Sequence, residues 1–161
     1  MPVEKKTPLV KNILRLFMVP WFLLGWMTHA YLVTTNPEGY RVFGASAIFK
    51  AYTVFWNQTV MPNITLFAIL LIIFEIVTGC LIASKGKWVK IGLVFSILFS
   101  LFLIQMGLSY TTPNAWANFA GNRLPNILFI ALEIPLLWGS YEKSLPEVIK
   151  GWFTRKKTNK N

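Results

Sequence analysis

The sequence predicts an all-α membrane protein, four transmembrane helices in a bundle, and three features predict it. Hydrophobic residues fill 55% and aromatic residues 16% of only 161 positions, more apolar surface than a soluble domain of this size can bury. Four runs approach the ~20 helical residues needed to cross a hydrocarbon core: about 13–33, 64–83, 88–108 and 124–141, the last reached by extending an apolar stretch to Tyr141. The charges gather between these runs. Of 16 Lys and Arg residues only Arg41, Lys50 and Arg123 fall on one side, the rest lying at the N-terminal end up to Arg15, around the turn from Lys85 to Lys90, or in the tail. By the positive-inside rule both termini are expected in the cytoplasm, of a bacterial inner membrane.

In chain order, the first span is expected to be retained, because it is too long for a signal-peptide core and "VTTN" after it offers no small-residue cleavage site. Residues 41–56, "RVFGASAIFKAYTVFW", read as an interfacial segment on the outer face. Ser46, Lys50, Thr53 and Asn57 recur at helical spacing, with Phe49, Tyr52, Phe55 and Trp56 anchoring the other side. The second span carries the lone Cys80, read as a small packing residue. On the third, Gly92, Ser96 and Ser100 make a stripe of small residues at spacing four, which lets another backbone approach closely. The tail, 142–161, begins with Ser144 and Glu147 at capping-box spacing, and Trp152 gives its amphipathic helix an apolar anchor before a basic end. The net charge of +10 therefore serves topology and lipid contact and calls for no nucleic acid.

The informative residues are the polar ones inside the spans. Glu75 sits roughly 18 Å along its helix from Asn63 at about 1.5 Å per residue, near the bilayer centre, and Glu133 about 12 Å from Pro125. His29, Gln105, Asn126 and, at the rim, Arg123 lie in the same outer half. Phase adds direction, since residues seven apart share a helix face. Ala68, Glu75, Thr78 and Gly79 should face inward together, as should Asn126, Glu133 and Ser140. A charged carboxylate exposed to lipid there costs several kcal/mol. Two glutamates face one histidine and Arg15 is distant, so at least one of Glu75 and Glu133 is expected to be neutral at pH 7, desolvation disfavouring the charged form. Either it hydrogen-bonds across helices as structural glue, or it belongs to a ligand, proton or cofactor site.

"FEIVTGCLIASKGKW", with Glu75 and Gly79 four apart before a basic turn, and "GNRLPN" entering the last helix, resemble the DoxX-like small membrane proteins over roughly residues 12–141. The resemblance implies a four-helix membrane bundle linked to redox systems, the family name coming from a subunit of a thiosulfate to quinone oxidoreductase. With one cysteine, this chain does not carry the residues of a thiol-based mechanism.

No catalytic residues and no metal site can be assigned, for the chain has no phosphate loop, no second histidine and no Asp. Three functions follow as expectations. The leading one is an accessory or structural subunit of a larger membrane complex, whose partners are lipid and other membrane subunits or copies of itself. The second is a redox-linked protein that binds a quinone or handles protons through Glu75, Glu133 and His29. A small proton-coupled transporter is the third, disfavoured because four helices without inverted repeats make a poor alternating-access machine.

Overall fold

The computed structural model describes residues 7–108 and 114–158, and among these every regular element is a helix. Lys5, Lys6 and Lys160, counted above for topology, lie outside the described residues. Three helices are long and apolar enough to cross a membrane: α1 (Leu9–Thr35), the helical path Lys50–Ala83 and α5 (Lys87–Met106). That path comprises α3 (Lys50–Phe55), a π-turn at Trp56–Val60, a 3-10 turn at Met61–Asn63 and α4 (Ile64–Ala83). Before it come a 3-10 turn at Pro37–Tyr40 and α2 (Arg41–Ala45). After α5 come α6 (Ala115–Asn122), α7 (Leu124–Glu133) and the tail helix α8 (Leu145–Thr158). The helix α4 packs against both α1 and α5, and α7 packs on α5. Phe17, Trp21 and Phe22 of α1 meet Phe129 of α7, closing the circuit.

Small residues set the close approaches. A Cβ on Gly79 would stand 2.6 Å from Leu23 Cδ2, and one on Gly92 2.8 Å from the Ile82 backbone nitrogen, so α1 and α5 both press onto α4 at glycines. The expected stripe on α5 is divided between two neighbours. Gly92 meets α4, whereas the Ser96 hydroxyl donates to Glu133 of α7. The turn from α4 to α5 needs Gly86 for its backbone alone, since φ is +64° and nothing lies near its missing side chain.

At the end of the molecule where α1 begins, Arg15 is fully buried. Its Nε and Nη2 donate to the Ile82 carbonyl at 3.1 and 3.0 Å, Nη2 also to the Ser84 carbonyl at 2.6 Å, and Nη1 to Asn12 Oδ1 at 3.0 Å. Carbonyls in the last turn of a helix lack partners within it and carry the negative end of its dipole, so a guanidinium is their natural cap. The same group lies 4.8 Å above the ring of Tyr141, whose hydroxyl donates to the Leu136 carbonyl.

The surface is apolar and much of the interior polar. Trp138, Trp116 and Tyr31 are 75%, 71% and 69% exposed, while Glu75, Thr78, Ser96, Asn126 and Glu133 are buried. The inward phase expected of Ala68, Glu75, Thr78 and Gly79 is the phase observed.

Four expectations need correction. The fourth apolar run does not remain helical to Tyr141. After ten α-helical residues and a 3-10 turn at Ile134–Leu136 the chain turns, because Pro135 has no N–H to continue the ladder and the Gly139 N–H bonds back to Leu136. Ser140, beyond that turn, is consequently exposed, not inward. Residues 41–56 are not one amphipathic helix but α2 and the start of the Lys50–Ala83 path, interrupted where Ser46 and Ile48 donate to the carbonyls of Met106 and Gln105 and so cap α5. Cys80 is exposed on the outer side of α4, not packed inside. The tail capping box is present as expected, the Ser144 N–H and hydroxyl both donating to Glu147 Oε2, bonds that hold its carboxyl below the usual range.

If Arg15 closes the molecule as described, Arg15→Ala should cost on the order of 3 kcal/mol by leaving buried carbonyls unpaired. Arg15→Lys should recover less than half of that, since a point charge cannot reach Asn12, Ile82 and Ser84 together. Thermal unfolding in detergent measures both, and a lysine variant as stable as the wild type would contradict the cap.

Candidate functional site

Gly25 and His29 stand one turn apart on the face of α1 that meets α4, and Glu75 is opposite them. Gly25 makes the room: a Cβ there would lie 3.3 Å from Glu75 Oε1. His29 Nε2 is 3.5 Å from the same Oε1, pairing the histidine with the carboxyl. On its other side, His29 Nδ1 lies 3.0 Å from the Tyr40 hydroxyl, which also donates to the His29 carbonyl at 3.3 Å. Tyr40 is brought back beside His29 by the Pro37–Tyr40 turn. It is held there by Trp56, whose Nε1 donates to the Tyr40 carbonyl at 2.8 Å and whose ring occupies the space a side chain on Gly44 would fill. Burial pushes the Tyr40 hydroxyl up to about 12, and the nearby Glu75 adds to the shift, so this hydroxyl keeps its proton through the physiological range.

This array forms the polar part of the wall of a cavity of about 1190 Å³ between α1, α4, α5 and the 41–60 segment. The remaining wall is apolar, with Pro20 and Trp21 from α1, Phe67 and Phe74 from α4, and Phe99 from α5. Exposed Leu24, Leu70 and Leu98 also line it, so it opens onto the apolar flank of the molecule. Pro20 gives up the helix hydrogen bond to the Leu16 carbonyl at this wall.

The other sequence-predicted residues lie elsewhere. Glu133 takes the Ser96 hydroxyl and does not line the cavity. Arg123 donates to the Ser46 carbonyl at 2.6 Å and to Asn118 Oδ1 at 2.8 Å, fastening the 41–60 segment to α6 and α7. Gln105 and Asn126 each keep one buried side-chain atom without a hydrogen-bond partner. Of the aromatic anchors, Phe49 and Phe55 are exposed, whereas Tyr52, Trp56 and Trp152 are half-buried. The structure thus joins Glu75 to His29 and sets Glu133 apart. Tyr40, Gly25 and Gly44 were not singled out from the sequence. The turn signal "NPEG" preceding Tyr40 was the available clue, since a reversal there returns the next residue to the helix it has just left.

Tyr40→Phe should remove a phenolate titration centred at about 12 from the ultraviolet difference spectrum. A folded-state value raised above the ordinary 10.0 gives stability that is complete below about 10 and lost as the pH rises through about 12. The variant should therefore lose less stability than the wild type between those limits. Identical alkaline profiles would place Tyr40 in water instead.

No family model, curated protein or solved structure matches the chain.

Proposed function

We propose that this chain is a small integral membrane protein that holds a membrane-dissolved, uncharged ligand of the quinone class in the cavity beside Glu75, serving as an accessory component of a larger redox-associated membrane complex. One observation carries the reading: a large apolar cavity, open to the apolar flank, whose polar wall is formed by buried Glu75 and Tyr40 with half-buried His29 between them. An apolar body and a small polar head are what such a wall accommodates. Among the described residues no Lys or Arg lines it, so an anionic lipid headgroup finds no cationic partner there.

The remainder of the proposal concerns placement. The Leu124–Leu136 helix is counted as the fourth membrane element, both termini are cytoplasmic in a bacterial inner membrane, and the protein is grouped with the DoxX-like small membrane proteins. Lys85, Lys87 and Lys90 around the α4–α5 turn, with Lys143 and Lys150 at the same end, support that orientation. The subunit assignment and ligand binding are compatible, the ligand being presented to a partner that performs the chemistry.

Gentle detergent extraction followed by solvent extraction and mass spectrometry should find an isoprenoid quinone enriched over the lipid background. Phospholipid alone, at background ratios, would sink the ligand reading, while a stable protein partner without quinone would leave only the structural-subunit reading. For orientation, cysteines introduced at Glu38 or Ala117 in a Cys80→Ser background should react with an impermeant reagent from outside the cell. A cysteine at Lys87 should not, and strong external labelling there would reverse the topology.

A further inference from the structure

We propose that the cavity selects ligands whose head donates a hydrogen bond, a hydroxyl-bearing head such as a hydroquinone, and that the accepting group is the Glu75 carboxyl. The inference rests on the ligand-binding reading above and adds the chemistry of the head. Glu75 is only 5% exposed and lines the cavity, yet its Oε2 has no hydrogen-bond partner among the described residues. Buried carboxyl oxygens are ordinarily paired, and this one belongs to a side chain that lines the cavity, so a ligand atom can become its partner once the carboxyl turns towards the cavity.

His29 Nε2 stands 3.5 Å from Oε1 and is the neighbour of that oxygen, which leaves Oε2 as the carboxyl atom without a partner. A carboxyl oxygen that carries no proton offers lone pairs only, and a hydroxyl head supplies the hydrogen they lack. The terminal torsion of a glutamate is soft, so the free oxygen can turn to meet a head in the cavity. The Tyr40 hydroxyl cannot supply the opposite preference, being engaged by His29 Nδ1 and the His29 carbonyl. The exposed hydroxyl of Thr28 can donate or accept and so does not discriminate. A carbonyl head would meet this wall acceptor to acceptor, whereas a hydroxyl head completes it.

Decylubiquinol and decylubiquinone form a matched pair, sharing tail and ring substituents and differing in hydroxyl against carbonyl. Anaerobic titration of the full chain in detergent, read by tryptophan quenching with Trp21 and Trp56 at the wall, should show the quinol bound about tenfold more tightly. In Glu75→Gln, whose amide can turn its NH₂ towards a carbonyl, that ratio should fall below about threefold. Equal affinities in the wild type, or tighter quinone binding, overturn the inference and leave the cavity as a ligand site. A tenfold preference retained in Glu75→Gln overturns the assignment to Glu75. If neither probe binds, both this inference and the ligand-binding reading fail. The wild-type comparison stands whether or not the variant folds.

Discussion

The structure depends on the burial of one guanidinium. Arg15 cannot lose its proton and has N–H donors that an apolar interior must satisfy, so wherever it is enclosed carbonyls have to be brought to it. The end of α4 supplies them at Ile82 and Ser84, and Asn12 adds a side-chain acceptor. Because α1 and α4 run antiparallel, this anchoring point sets their register along the whole contact. Moving outward, Arg15 faces Ile82, Phe22 and Leu23 face Gly79, and Gly25 faces Glu75, each pair advancing on one helix as it retreats on the other. A slip of one residue would rotate Glu75 away from His29. The pairing at the cavity is thus a consequence of a hydrogen-bond cluster at the opposite end of the helices.

The two interior glutamates illustrate different solutions to one problem. Glu133 is fully buried and receives the hydroxyl of Ser96 across the α5–α7 interface. That arrangement joins helices and offers no access. Glu75 faces a histidine and a cavity, and its position relies on three glycine- or turn-dependent supports: Gly25 for space, Gly44 for seating Trp56, and the Pro37–Tyr40 turn for returning Tyr40. The first solution resembles packing, the second a site.

The 41–60 segment earns its shape from what it covers. The last carbonyls of α5 have no partners within the helix, and the chain between α2 and α3 provides them by donating from Ser46 and Ile48. Gly107 makes the close approach feasible, with φ of +82° and the Ser46 hydroxyl oxygen only 2.9 Å from where its Cβ would be. Arg123, between α6 and α7, completes the closure by donating to the Ser46 carbonyl. An amphipathic pattern was visible over these residues, but the demand of α5 for donors outweighed it.

What the sequence determined by itself is what depends on neighbours within a few turns. Run length gave the three long apolar helices, seven-residue phase turned Glu75, Thr78, Asn126 and Glu133 inward, and the Ser144 to Glu147 spacing capped α8. Each is a local property, set by helical rise and by side chains on one face. Only the tertiary structure decided that Arg15 is a buried cap, that His29 belongs to Glu75 and not to Glu133, and that the last apolar run turns at Leu136. Those outcomes join residues far apart in the chain, Arg15 and Ser84 by 69 positions. Apolar periodicity says which side of a helix is inward but carries no information on which inward residues meet. That choice is made by glycine contacts and by buried donors seeking acceptors, and these act only once the helices are assembled.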